Sequence, residues 1–332
     1  MSSATRSRAV RTVAHVGAPD PVDLADALAR WSAGTLAPAR ATPDEVAHVR
    51  ALLEEAAQVA VDAAGDADLA SNPIRLAKGR ITELAACERH LVATADGRGS
   101  GSGQEDLLHL GVLIDVLAEH HVLTGRPRPD PEPLALGTEL CRAHGDKEAT
   151  VEWLESLDPE ARRTVDERLT EKRDQLLGGW PAFERAWWPR TQERLVVGLA
   201  GGQVVLDGRA DAVVGGRPTP WPALVLEVKS GAFSREQRDD GLFYGLLLAM
   251  RDGEAPAAAI TTTPAGLHVE RATVERLDTA CLRLSAAIVA AGELAGGRPP
   301  TERAGPRCGR CPVVAACPTG TAWVTEQRTA GG

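Results

Sequence analysis

The chain has 332 residues, 43% of them hydrophobic, so it is long enough to bury the core of one large domain or of two smaller ones. No segment has the ~18 consecutive apolar residues of a membrane span, and the first twenty residues lack the apolar core of a signal peptide, so we expect a cytoplasmic protein. A formal net charge of -9 argues against general electrostatic binding of nucleic acid, because phosphate contacts need local lysine and arginine. Any contact with DNA must be confined to a groove where divalent cations offset the acidic charge.

The N-terminal part of the chain is predicted to be helical. A disordered tail over residues 1–20 precedes a helical region over residues 21–124. Thr42 is predicted to cap a long helix, and a second helix is predicted to begin near Asn72-Pro73. After a break rich in Gly and Ser, residues 107–123 are apolar around much of the helical surface, which predicts a buried helix.

The character of the sequence changes near residue 190. Residues 125–190 are predicted to be a helical insertion, which opens with a Pro-rich linker and contains a charged helix capped by Asp158. Residues 193–215 alternate, are rich in Val and carry Gly-Gly at their centre, which predicts a β-hairpin. A strand, a helix, a strand and a helix follow, so we predict an α/β core over residues 191–298.

Two carboxylates and a lysine form the chemical centre of this core. Asp211 ends the hairpin, and Glu227 and Lys229 lie two residues apart on the next strand, so their side chains point to the same side. An E-x-K triplet alone is typical of exposed strands, but this strand is otherwise apolar on both faces. Carboxylate oxygens bind Mg²⁺ or Mn²⁺, and a lysine beside them can position water or neutralise phosphate charge, so the pattern favours phosphodiester hydrolysis.

The order of the segments GRADAVV, LVLEVKSG and LFYGLLLA resembles the RecB-like nucleases of the PD-(D/E)XK superfamily. The resemblance implies a restriction-endonuclease-like core, in which helices flank a mixed central sheet, and cleavage of DNA that depends on Mg²⁺ or Mn²⁺. It makes Asp211 and Glu227 metal ligands together with the backbone carbonyl of Val228, and it makes Lys229 the catalytic lysine.

Two positions depart from the family's pattern. Asp115, four residues after Gly111, stands where the family has His, and it is either a ligand of a hard cation or an ordinary helix residue. The family's Q-x-x-x-Y motif runs here from Asp240 to Tyr244, and Gln237 lies one turn earlier as a possible substitute for the missing Gln. Tyr244 itself is either a site residue or a core aromatic. The departures leave open a catalytically weakened or partner-activated DNA-binding subunit with the same fold.

A cysteine cluster near the C-terminus indicates a soft metal site, since six cysteines are too few and too uneven for a disulfide scaffold. The C-x2-C-x5-C pattern is formed by Cys308, Cys311 and Cys317. Cys87 is the upstream candidate for a fourth ligand. This arrangement resembles the iron–sulfur site of AddB-type and CRISPR-associated RecB-like nucleases, which implies a structural [4Fe–4S] cluster over residues 299–319, with structural Zn²⁺ as the alternative. Residues 320–332 are predicted to be a disordered tail.

These features predict a metal-dependent DNA nuclease, acting as an exonuclease on single strands or duplex ends, in repair, recombination or defence. No G-x-x-x-x-G-K-[ST] motif is present in the sequence, so any unwinding would come from a helicase or another DNA-processing partner. A zinc-stabilised regulatory protein is the remaining alternative.

Overall fold

A computed structural model describes residues 20–95, 105–125, 132–231, 233 and 235–330. The tail expected before residue 20 and most of the Pro-rich linker lie outside the described residues. Within the described residues the chain forms eleven α-helices and one six-stranded sheet.

The sheet is mixed, as predicted. Its strands are β1 (Ile74–Leu76), β2 (Arg190–Leu199), β3 (Val204–Val214), β4 (Leu224–Val228), β5 (Ala258–Thr263) and β6 (Gly266–Arg271). The order is β1-β3-β4-β5-β6, and β2 pairs with β3 as the predicted hairpin. β1 runs parallel to β3 and β4 parallel to β5, whereas the other neighbours are antiparallel. β4 and β5 are buried throughout, which explains the apolar residues on both faces of β4 before Glu227 and of the first half of β5.

The helices cover both faces of this sheet. They are α1 (Leu24–Ser32), α2 (Pro43–Ala64), α3 (Lys78–Ala86), α4 (Glu88–Ala95), α5 (Glu105–Thr124), α6 (Pro133–His144), α7 (Glu148–Ser156), α8 (Pro159–Leu177), α9 (Arg235–Asp252), α10 (Val274–Ala295) and α11 (Pro318–Ala330). Val225 of β4 packs into a core with α2, α3, α9 and α10, while its neighbours Leu224 and Leu226 pack into a second core with α1, α5, α6 and α8. The polar end of β4 therefore lies between two groups of helices.

Helix α5 is long and apolar enough to cross a membrane by length and composition alone. Many of its apolar side chains pack against the sheet and against α6 and α8, with Leu113 and Ile114 fully buried, whereas Leu107, Leu108 and Leu123 are exposed. Burial in the second core accounts for the composition that predicted a buried helix here.

Several predicted boundaries hold and others need correction. Thr42 caps α2 in a complete capping box, and Asp158 accepts hydrogen bonds from the first turn of α8. The helix predicted from Asn72-Pro73 is instead the short strand β1 followed by two helices that are separated at Cys87, because pairing with β3 keeps residues 74–76 extended. Of the tail predicted to be disordered over residues 320–332, residues 320–330 instead belong to α11, which packs on the cysteine-bearing turns, and the last two lie outside the described residues.

Candidate active site

Asp211 lies where the sheet opens. In the ladder between β2 and β3, Thr191 pairs with Ala212 and Glu193 pairs with Ala210, but Gln192 does not pair with Asp211. Gln192 has a φ of 49°, so the backbone of β2 is not extended opposite Asp211. Pairing between β3 and β4 stops at Ala212. Beyond that point the Oδ2 atom of Asp211 accepts a 2.7 Å hydrogen bond from the backbone N–H of Val228. A side-chain carboxylate thus replaces a strand carbonyl and ties Asp211 to the end of β4.

Glu227 is fully buried beside Asp211, and one of its oxygens has no partner. Its Oε2 atom accepts hydrogen bonds from Lys229 Nζ at 2.6 Å and from Lys78 Nζ at 3.4 Å. Its Oε1 atom is buried without a hydrogen-bond partner among the described residues. A buried, unpaired carboxylate oxygen is costly, so this position suits a ligand that supplies positive charge.

Asp115 belongs to the same centre. Asp115 lies on α5, which passes the end of β4. Gly111, one turn before Asp115, lies close to that end, since a Cβ built on Gly111 would be 4.0 Å from Ser230 Oγ. Burial raises the pKa of the Asp115 carboxyl to about 6, the charge of Lys229 opposes that rise, and the charge of Glu227 adds to it. Asp115 is therefore close enough to Lys229 and Glu227 for their charges to act on its carboxyl.

The carboxylates crowd one another enough to shift their protonation. Burial raises the pKa of Asp211 to about 8, and the negative charge of Glu227 contributes to the same shift. A hard divalent cation would relieve this repulsion, and the donor set of Asp115, Asp211 and Glu227 is all oxygen, as Mg²⁺ and Mn²⁺ prefer. As the described side chains stand, no group of three His, Cys, Asp or Glu residues converges well enough to hold a metal ion.

Lys78 is a site residue that sequence reasoning missed. It is the first residue of α3, and its Nζ atom lies 3.4 Å from Glu227 Oε2 and 3.9 Å from Asp240 Oδ2. The same ammonium stands 5.0 Å over the ring of Tyr244. The segment LAKGR matches no motif that would have marked Lys78, although lysine is rare in this chain.

The two helix residues of the Q-x-x-x-Y position lie against Lys78. Burial raises the pKa of Asp240, and the charge of Lys78 opposes that shift. Tyr244 is buried in the core, where a Cβ at Gly208 would lie 2.7 Å from its ring. The face of the same ring contacts the Lys78 ammonium. Gln237 is in the first turn of α9, and its side chain lies outside the described residues.

The four predicted cysteines surround one cavity of about 510 Å³. Cys87 caps the C-terminus of α3, and the other three lie in or beside two 3₁₀ turns at Pro306–Arg310 and Val314–Ala316. All four are free thiols, and the backbone N–H of Gly320 donates to Cys317 Sγ at 3.3 Å. Cys141 and Cys281 are buried in the two cores, away from this cavity.

Polar contacts hold the cysteine-bearing segment against α3 and α4. Glu88 is buried and accepts hydrogen bonds from both Nη atoms of Arg298, at 2.9 Å, and from Thr301 N, at 2.8 Å. Arg89 forms an ion pair with Glu302 and donates to the carbonyl of Ala316. These contacts hold the chain on either side of the first two C-terminal cysteines against α4 without a metal.

The sequence model of the PD-(D/E)XK nuclease superfamily matches residues 75–318, which is most of the chain. The chain belongs to that superfamily. The match begins in β1 and ends at the start of α11, so it includes Lys78, the carboxylates and all four cysteines of this nuclease-superfamily protein. No curated protein matches the chain. The solved structure described as "Crystal structure of SSO0001" is 13% identical, has a TM-score of 0.32 and covers 74% of this chain and 85% of its own; similarity at this level adds nothing to the assignment.

Proposed function

We propose that this protein is a deoxyribonuclease that requires Mg²⁺ or Mn²⁺. The observation that carries the proposal is the buried Glu227, whose Oε1 atom has no partner among the described residues while Asp211 and Lys229 stand beside it. Membership of a nuclease superfamily supports the same conclusion.

Asp211, Glu227 and the Val228 carbonyl, with Asp115, would hold the divalent ion. When bound, the ion stabilises the charge that develops on the phosphate and lowers the pKa of water near it. Lys229 stays protonated at Nζ: burial alone lowers its pKa, but the charges of Glu227 and Asp211 outweigh burial and raise it. We therefore assign Lys229 the stabilisation of negative charge on the phosphate, not the removal of a proton.

The finer assignment rests on the resemblance to RecB-like nucleases. We propose an exonuclease that acts on single strands or duplex ends, in repair, recombination or defence. A helicase or another DNA-processing partner would supply unwinding.

We further propose that Cys87, Cys308, Cys311 and Cys317 hold a structural [4Fe–4S] cluster. Support comes from the shared cavity, from the N–H donor to Cys317 Sγ and from the all-thiol donor set, which suits a soft metal. Structural Zn²⁺ uses the same donors. Iron and zinc analysis together with the visible absorption spectrum of anaerobically purified protein distinguishes the two metals, because Zn²⁺ is colourless.

The nuclease proposal is tested with labelled single-stranded and duplex DNA in Mg²⁺, in Mn²⁺ and in EDTA. We expect cleavage that EDTA abolishes and that Glu227→Gln and Lys229→Met each reduce by ~100-fold or more. Arg142→Ala is the matched control, because Arg142, on α6, is exposed and pairs with Glu155 of α7. Equal cleavage by wild type and Lys229→Met would refute the assignment. Tight DNA binding without cleavage would select the weakened DNA-binding subunit instead.

A further inference from the structure

Lysine is rare in this chain, and all four lysines lie at or near the candidate active site. The sequence has 37 basic residues, and only four of them are lysine. They are Lys78, Lys147, Lys172 and Lys229, and each is half-buried. A surface ion pair is satisfied equally well by arginine, which this chain uses almost everywhere else, so the placement of the lysines indicates a shared role.

Lys78 approaches the end of β4 from the face covered by α3 and α9. Its ammonium is held between Glu227 and Asp240 and rests on the Tyr244 ring, with 31% of the side chain exposed. The side chain is therefore partly accessible to a ligand that lies outside the carboxylate cluster.

Lys172 and Lys147 approach from the opposite face, and both belong to the helical insertion. Lys172, on α8, donates a 2.7 Å hydrogen bond to the carbonyl of Ser230, the residue after Lys229. Lys147 lies in the turn between α6 and α7, where its neighbour Asp146 is 3.8 Å from Arg209 of β3, two residues before Asp211. The positive charge of Lys147 also acts on the Asp115 carboxyl and lowers its pKa.

We propose that Lys78 on one side, and Lys147 and Lys172 on the other, bind backbone phosphates of the DNA strand that flank the phosphate to be cleaved. This inference rests on the proposed nuclease function. The proposal gives the helical insertion a role, because α6–α8 form one side of the groove in which the DNA strand would lie. A lysine ammonium is a compact charge with three donors on a flexible stem, so it can hold phosphates without the fixed two-point geometry of arginine. Phosphate contacts of this kind position the strand and carry no base preference.

The test is the salt dependence of binding to a fluorescent single-stranded oligonucleotide in EDTA, where cleavage is blocked. Removal of one phosphate-binding charge should reduce the slope of the logarithm of the binding constant against the logarithm of the salt concentration by about 0.7 on single-stranded DNA. We expect that reduction for Lys147→Met, for Lys172→Met and for Lys78→Met, and recovery of the slope in the matching Lys→Arg variants. In Mg²⁺, Lys147→Met and Lys172→Met should raise KM by roughly 10-fold and change kcat by less than about 3-fold, since the charge removed binds strand and does not touch the reacting phosphate.

Arg142→Met is the matched control, because it removes an equal charge from the same insertion at an exposed ion pair. Its slope and KM should equal those of wild type. The Lys147→Met, Lys172→Met double variant decides the question. If its slope equals that of wild type, as that of Arg142→Met should, then these lysines do not bind DNA phosphates, while the nuclease proposal stands. If wild type neither binds nor cleaves DNA, both proposals fail together.

Discussion

At the scale of single residues, the fold without a metal favours the protonated, uncharged form of the Asp211 carboxyl. Its pKa of about 8 lies far above the ordinary 3.8, because burial and Glu227 disfavour ionisation. The folded protein therefore binds a proton that the unfolded chain has released, and stability falls as pH rises through that interval. If these carboxylates bind a divalent cation as proposed, the site destabilises the fold while the cation is missing.

We expect Asp211→Asn to stabilise the metal-free protein. An amide still accepts the hydrogen bond from Val228 N and carries no charge, so the free energy of unfolding should rise by about 2–4 kcal/mol at pH 8. The wild-type value should fall on the order of 2 kcal/mol between pH 6 and pH 8, and the variant should lose most of this slope. Urea unfolding in EDTA at several pH values measures both quantities.

Asp207→Asn is the control for this effect, because Asp207 lies on the same strand and pairs with the exposed Arg194. That substitution should change stability by less than about 1 kcal/mol with no comparable slope. An Asp211→Asn variant that is less stable than wild type in EDTA at pH 8 would contradict the electrostatic account.

Asp115 raises a different question, because it stands where the resembling nucleases have His. Its pKa of about 6 means that it is protonated, and a poor ligand for a cation, below that pH. At limiting Mg²⁺ we expect cleavage to rise from pH 5 to pH 8, as first Asp115 and then Asp211 lose a proton and can bind the ion. We expect Asp115→Asn to reduce cleavage by roughly 100-fold, and Asp115→His to retain more activity than Asp115→Asn. The test measures steady-state cleavage rates of all three proteins across this pH range at one fixed Mg²⁺ concentration below saturation, where protons and Mg²⁺ compete for the carboxylates. Full activity in Asp115→Asn would mean that this residue is not a ligand.

At the scale of elements, the pair α2 and α10 shows how closely small residues let two helices approach. A Cβ added at Gly292 would overlap the backbone carbonyl of Ala60, and backbone cannot move aside as a flexible side chain can. We expect Gly292→Ala to lower the free energy of unfolding by about 3 kcal/mol, despite the better helix propensity of Ala. Gly245→Ala in α9 is the control, since a Cβ there would meet only Pro256 Cγ at 3.7 Å, and it should be neutral or stabilising by up to ~1 kcal/mol. Chemical denaturation of both variants measures the difference, and equal midpoints would argue against backbone overlap.

Elements differ in how far the sequence alone could predict them. The hairpin β2–β3, the buried strand β4 and helices α2 and α8 carry their own signals in alternation, apolar runs and caps. β1 has three residues, and only its parallel pairing with β3, more than a hundred residues away, makes it extended. Local propensity cannot report a partner so distant, and the prediction of one continuous helix there was wrong for that reason.

At the scale of the whole molecule, the same distinction separates the site residues that sequence predicted from the one it missed. Glu227 and Lys229 are two residues apart on one strand, so their spacing alone brings them together. Lys78 is 149 residues from Glu227 along the chain, and only the packing of α3 beside α9 brings their charges into contact. A residue whose role depends on tertiary placement, without a motif of its own, becomes visible only in the fold.

At one shared cavity, Cys87 from the first third of the chain lies close to the three C-terminal cysteines. A cluster joining Cys87 to the C-terminal thiols would close a loop of more than 200 residues and restrict the unfolded chain by about 5 kcal/mol in an entropy model. Cys311 is only half-buried, so trimming its side chain without losing a cluster should cost less than about 1 kcal/mol. We expect Cys311→Ala to lose visible absorbance and about 3–5 kcal/mol of unfolding free energy, whereas Arg310→Ala, at the exposed neighbour, should lose neither. The contacts of Glu88 with Arg298 and Thr301 should keep the segment docked in part, so the folded variant can be measured by urea unfolding. A colourless Cys311→Ala protein that is as stable as wild type would show that a metal at these thiols does not hold the molecule together.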